Sequence, residues 1–174
     1  MKNVAKTTVL KTVIAGEGGV GKTTLLHRYV EGKFNADTRL TIGVEFHLKE
    51  LVIDGRKVIL QIWDLGGQER FRFLLKNYVK GSKGAMIMFD LTRPLTLDTI
   101  DNWIEICRDE NPDLPILFLG SKADLADLIH FEEDYITEFI EKYDFFDYMK
   151  VSSKTGLNVD NAFEILAKEI VKKI

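Results

Sequence analysis

A chain of 174 residues, 45% apolar and 29% charged with 13 glycines and 3 prolines, has the size and make-up of one ordinary globular domain. That balance excludes a disordered, collagen-like or mucin-like polymer and predicts one continuous domain over residues 1–174. Twenty-four Lys and Arg against 27 Asp and Glu leave a net charge of −3, so no global basic field invites nucleic acid.

Strand-like and helix-like segments alternate, which predicts an α/β layered fold. Residues 9–15 read as an apolar strand, followed by a glycine loop and a helix over about 22–31. Two strands, 44–53 and 57–64, are joined across Asp54-Gly55, a dipeptide that accepts the positive φ angles of a tight hairpin. A short helix is expected between 69 and 80. Residues 85–89 and 116–119 are brief, nearly all-apolar runs, the signature of strands covered on both faces. Helical spacing recurs in Leu97, Ile100, Ile104 and Cys107, and again from Phe131 through Tyr135, Ile136, Phe139 and Ile140 to Tyr143. Val159, Ala162, Phe163, Leu166 and Ile170 predict a last helix capped by Asn158, after a final short strand at 149–151. Phe46 shares strand parity with Val44 and Leu48, which predicts burial. Trp63 shares it with Gln61, which predicts a wetter face open to partners.

Three fragments carry chemistry. Gly16-Glu17-Gly18-Gly19-Val20-Gly21-Lys22-Thr23 fills every fixed position of G-x-x-x-x-G-K-[ST]. Glycines let several backbone N–H groups face one phosphate chain, and the helix that follows offers its N-terminus to the anion. Lys22 adds a flexible point charge for the β and γ phosphates, and the Thr23 hydroxyl can complete a Mg²⁺ shell. In Trp63-Asp64-Leu65-Gly66-Gly67-Gln68-Glu69, Asp64 ends a strand where its carboxylate can hold Mg²⁺ through water. Gly67 can bring an N–H against a γ phosphate, and Gln68 can orient an attacking water. Gly120-Ser121-Lys122-Ala123-Asp124 follows a buried strand. There Asp124 can accept from the N1–H and N2–H₂ groups that guanine has and adenine lacks, Lys122 can cover the purine face, and Ser152-Ser153-Lys154 can close the pocket. Taken singly, the second and third fragments also read as ordinary polar turns after a strand.

In the order GEGGVGKT, TIGVEF, WDLGGQE, SKAD and SSK, over essentially the whole chain, the sequence resembles a Ras-superfamily small GTPase. Thr41-Ile42-Gly43-Val44-Glu45-Phe46 and the aromatic set Phe46, Trp63 and Tyr78 point to the Rab-like branch, whereas Leu65-Gly66-Gly67-Gln68 is closer to Arf proteins. The resemblance implies a P-loop NTPase three-layer sandwich, a six-stranded mixed sheet flanked by five helices. It implies a monomeric two-state switch that hydrolyses GTP to GDP and phosphate with Mg²⁺. Thr23 and Thr41 would ligate the ion, with Asp64 holding it through water. Gly18, Gly19, Val20, Gly21, Lys22, Thr23 and Thr24 would wrap the phosphates, and Phe34 would pack edge-on against the guanine. Ser121, Lys122, Asp124, Leu125, Ser152, Ser153 and Lys154 would hold the base. Thr41 and Gly67 would both touch the γ phosphate, so hydrolysis would free two switch segments, residues 34–44 and 65–78. Gln68 would position water while Lys22 and the ion neutralise developing charge. Effectors, an exchange factor and a GTPase-activating protein would dock on the switches, as in membrane trafficking.

Two residues depart from the family pattern. Ser121 stands where the base-reading string usually opens with Asn. A hydroxyl is too short to reach both the base and the phosphate loop, so guanine preference is expected with weaker affinity. Arg39, two residues before Thr41, reads either as a solvated charge beside Asp37 or as a built-in charge-neutralising arginine like that of some heterotrimeric G-protein α subunits. Two other functions stand beside the switch: a GTP-loaded scaffold with negligible hydrolysis, and a P-loop kinase. Gln68 and Gly18 weigh against the first, and the lack of an arginine-rich lid against the second. Cys107 has no cysteine partner, and His27, His47 and His130 are scattered without i, i+4 spacing, so no imidazole metal site is expected. The apolar runs are far short of the ~20 residues of a spanning helix. Val171-Lys172-Lys173-Ile174 holds no cysteine for prenylation, and Lys2 occupies the place of a myristoylated glycine. A cytoplasmic location is expected, with attachment to the cytosolic face of a membrane left open.

Overall fold

Six strands and five α-helices alternate along the chain in the computed structural model, which describes residues 6–36, 41, 43–67, 70, 72–129 and 131–174. The strands are β1 (Thr8–Ala15), β2 (Val44–Ile53), β3 (Arg56–Leu65), β4 (Gly84–Asp90), β5 (Ile116–Ser121) and β6 (Asp147–Lys150). The helices are α1 (Lys22–Glu31), α2 (Arg72–Val79), α3 (Ile100–Arg108), α4 (Glu133–Tyr143) and α5 (Val159–Lys173). One sheet holds all six strands in the order β2-β3-β1-β4-β5-β6. Only β2 runs antiparallel, pairing with β3 from Val44 opposite Leu65 to Ile53 opposite Arg56. The hairpin turns on Asp54 at φ 49° and Gly55 at φ 77°, the two positive angles that a two-residue connection demands.

Strand alternation divides the apolar residues between two layers. Leu10, Ile14, Met86, Met88, Leu117 and Leu119 meet Leu25 and Leu26 of α1 and Phe163, Leu166 and Ile170 of α5 on one face. Val13, Ala85, Ile87, Phe89, Ile116 and Phe118 meet Leu75 of α2, Trp103 of α3 and Ile136 of α4 on the other. Tyr29 stacks on Phe163 at 3.8 Å between ring centroids, tying α1 to α5.

Several local expectations shift. Leu97 belongs to a 3-10 turn, Pro94–Leu97, that precedes α3, and Phe131 lies before α4. The last strand ends at Lys150, so Val151 has already left it. Asn158 occupies the N-cap of α5 at φ 56° but caps nothing. Its side-chain amide donates to the Lys150 carbonyl at 2.9 Å instead. Phe46 is not buried. The α1 and α5 layer covers the face of β2 that carries Leu51 and Ile53, which leaves Phe46 48% exposed and Leu48 54% exposed on the other. Among the described residues no helix is long and apolar enough to cross a membrane.

The strand order reverses direction at β1, which lies between β3 and β4. The loops leaving β1, β3, β4, β5 and β6 therefore gather at one edge of the sheet, where open α/β sheets bind ligands.

Candidate functional site

The loop after β1 is shaped by contacts that only glycine permits. Gly16 sits at φ 145°, and a Cβ there would lie 2.3 Å from the Met88 carbonyl oxygen of β4. Gly67, beyond β3, lies so close to the loop that its Cβ would stand 2.4 Å from the Gly18 nitrogen. Gly21 caps α1 without a side chain, and the helix's first turn carries no carboxylate. That end thus keeps its positive dipole for an outside anion.

Lys22 is buried and curls back over the loop, donating to the carbonyls of Gly16 at 2.8 Å and Glu17 at 2.9 Å. Burial brings its pKa down to about 8, against the pull of Asp64 and Glu17. Beside it, three oxygens converge. Thr23 Oγ1 donates to Asp64 Oδ2 at 2.5 Å, so the 2.5 Å contact between Thr23 and Thr41 has the Thr41 hydroxyl as donor. Burial raises the Asp64 carboxyl above its usual range, despite the Thr23 hydrogen bond and the Lys22 charge. Its second oxygen, Oδ1, is buried with no hydrogen-bond partner. An orphaned carboxylate oxygen among hydroxyls is an oxygen-only donor set, which suits a hard cation such as Mg²⁺.

Lys22, Thr23 and Thr41 line one end of a cleft of about 420 Å³, while Asp64 is fully buried and outside the lining. The cleft wall runs through residues 18–24, then Phe34, Ala36, Thr41, Gly67, Ser121, Lys122, Asp124, Leu125, Ser153 and Lys154. Ser121 Oγ reaches the loop, with Val20 O at 2.6 Å and Phe89 O at 3.0 Å competing for its single proton. Ser152 lies outside the lining. Its wholly buried hydroxyl donates to Asp124 Oδ1 at 2.8 Å, which fixes the carboxylate that the cleft presents. Gln68, Arg39 and Asp37 lie outside the described residues.

Six supporting residues escaped the sequence reading, and Ala36 joins the lining unpredicted. Asp90, at the end of β4 and fully buried, holds the Lys122 ammonium at 2.7 Å and Arg93 Nε at 2.9 Å on Oδ2. The Thr92 amide and hydroxyl satisfy Oδ1 at 2.8 and 2.7 Å. Burial is the strongest single influence on this carboxyl, yet Lys122, Thr92 and Arg93 together outweigh it and hold it below the usual range. Arg93 also donates to Gly18 O at 3.3 Å, and Lys122 to Gly19 O at 3.4 Å. Glu17 accepts from Arg72 of α2 at 2.9 Å and from the Thr99 hydroxyl at 2.6 Å, joining the loop to the α2–α3 side. A buried carboxylate at the C-terminal end of an all-apolar strand was the one available signal, at Asp90.

Away from the cleft, Phe46, Trp63 and Tyr78 form a continuous aromatic strip, with centroids 5.4 Å and 6.0 Å apart. Trp63 is half-buried and donates to Gln61 at 3.1 Å, while Tyr78 is 42% exposed.

Residues 11–172 match the Ras family. The chain is 39% identical over 163 residues to "Ras-related protein RABA4a" of Arabidopsis thaliana, covering 93% of this chain and 72% of that protein. It is 37% identical over 165 residues to "Ras-related protein Rab11E" of Lotus japonicus, covering 94% and 75%. The match to "Ras-related protein Rab11B" of Nicotiana tabacum is 36% over 167 residues, covering 95% and 76%.

Proposed function

The chain belongs to the Ras family and is a Rab-like GTP-binding protein that hydrolyses GTP; on that premise we propose that residues 1–174 form one switch unit serving membrane trafficking. The observation that carries the reading is the convergence of Thr23, Thr41, Asp64 and Gly67 on the phosphate loop. Both segments expected to switch thereby reach the same end of one cleft. A γ phosphate placed there would be gripped from both sides, and its loss would release both.

Within that reading, the loop amides and Lys22 hold the phosphates, and Thr23, Thr41 and Asp64 hold Mg²⁺. The ion supplies charge neutralisation on the phosphoryl oxygens. Asp124, steadied by Ser152, reads the guanine edge, while Lys122, steadied by Asp90, covers the ring. Gln68 orients the attacking water. Family membership brings effectors, exchange factors and GTPase-activating proteins in general. The exposed strip of Phe46, Trp63 and Tyr78 is the surface we assign to them, because aromatic groups held half-open favour a partner over solvent.

The test is chemical. Protein purified without added nucleotide should release GDP on denaturation, and a single turnover with GTP should liberate phosphate to water in a Mg²⁺-dependent manner. Gln68→Leu should slow that turnover by at least about tenfold while GTP stays bound. Bound adenine nucleotide, or GTP retained indefinitely by the wild type, would overturn the proposal.

A further inference from the structure

His27 and His47 stand 20 positions apart in sequence, yet the fold brings them together. His27 lies on α1, and Glu45 and His47, two residues apart on β2, share the strand face that α1 covers. The two imidazole rings meet edge-on with centroids 6.0 Å apart. One ligand atom from each of His27, Glu45 and His47 lies within 4.8 Å of the other two. His47 Nε2 is buried and has no hydrogen-bond partner, with Glu45 Oε2 3.8 Å away. That separation is too long for a hydrogen bond, so neither packing nor pairing meets the cost of burying the nitrogen.

We propose that His27, Glu45 and His47 form a binding site for a divalent transition metal of the Zn²⁺ class. Two imidazoles are borderline donors that suit Zn²⁺ and disfavour Mg²⁺, and a carboxylate completes a donor set that Zn²⁺ accepts. Tetrahedral Zn²⁺ with bonds near 2.0–2.1 Å places its ligand atoms about 3.3 Å apart, so small side-chain rotations close the set. Three protein ligands leave a fourth position for water. Glu45 pairs directly with Asp64 across the β2–β3 ladder. The site therefore neighbours the hydroxyl and carboxylate cluster at the phosphates but differs from it in donor chemistry. A bound ion cross-links α1 to the strand that leaves the first switch segment.

The experiment uses the GDP-bound protein in excess Mg²⁺, titrated with Zn²⁺ by calorimetry, and with Co²⁺ followed by visible absorption. The wild type should bind one Zn²⁺ per chain, and Co²⁺ should give the intense bands of a tetrahedral site. His27→Gln and His47→Gln, each retaining GDP, should weaken Zn²⁺ binding on the order of a hundredfold. A wild type that binds no Zn²⁺, variants that bind it undiminished, or Co²⁺ bands of the weak octahedral kind would each overturn the site.

Discussion

Asp90 shows how a single carboxylate organises two cations beside the cleft. With Oδ1 satisfied by Thr92 and Oδ2 shared by Lys122 and Arg93, removing its charge leaves both cations to find water. Asp90→Asn should cost about 2 kcal/mol in denaturant unfolding, a value tempered by the partial exposure of Lys122 and Arg93. It should also speed GDP release. Because the native carboxyl lies below its usual range, its ionised form stabilises fully above the unfolded value near about 3.9. That contribution fades only as pH falls through the lower native value. The stability gap between wild type and Asp90→Asn should therefore be full at neutral pH and narrow below about pH 4. Ser121 presents the opposite case, a short side chain whose one proton is spent on the Val20 or Phe89 carbonyl. An amide has two donor hydrogens and an acceptor, so Ser121→Asn should slow release of a fluorescent GDP analogue by about tenfold. Unchanged or faster release would reject that role.

At the scale of elements, motif and geometry agree wherever the chemistry is local. The phosphate loop, α1 and the Asp54-Gly55 hairpin were legible because each depends on the φ angles and side chains of adjacent residues. The approach of Gly67 to Gly18 was less so, since the sequence holds the glycine but not the distance. With 2.4 Å between a Cβ at 67 and the Gly18 nitrogen, Gly67→Ala must push the loop after β3 away from the loop after β1. Single-turnover GTP hydrolysis should fall on the order of a hundredfold, because such a displacement spoils alignment. GDP affinity, which needs no γ-phosphate contact, should stay within about threefold of the wild type. Asn158 marks the limit of cap prediction: a residue type suited to capping was claimed by the Lys150 carbonyl, a partner from another element.

Across the whole molecule, two cores press on one sheet and set where its loops meet. On the α1 and α5 side, Phe163 is stacked on Tyr29 and 1% exposed. Phe163→Ala should cost about 3–5 kcal/mol and lower Tm by roughly 10 °C. Calorimetry of the GDP-bound protein checks this, and a shift below about 3 °C would mean that the site repacks. The sequence by itself determined the alternation of strands and helices, the glycine turns and the order of chemical fragments along the chain, because these follow from backbone angles and short-range periodicity. Only tertiary structure decided that the Phe46 face of β2 stays open and that Ser152 serves Asp124. It alone brought Asp90 under Lys122 and His27 beside His47. Those outcomes depend on which helix lies over which strand, and no single segment carries that information.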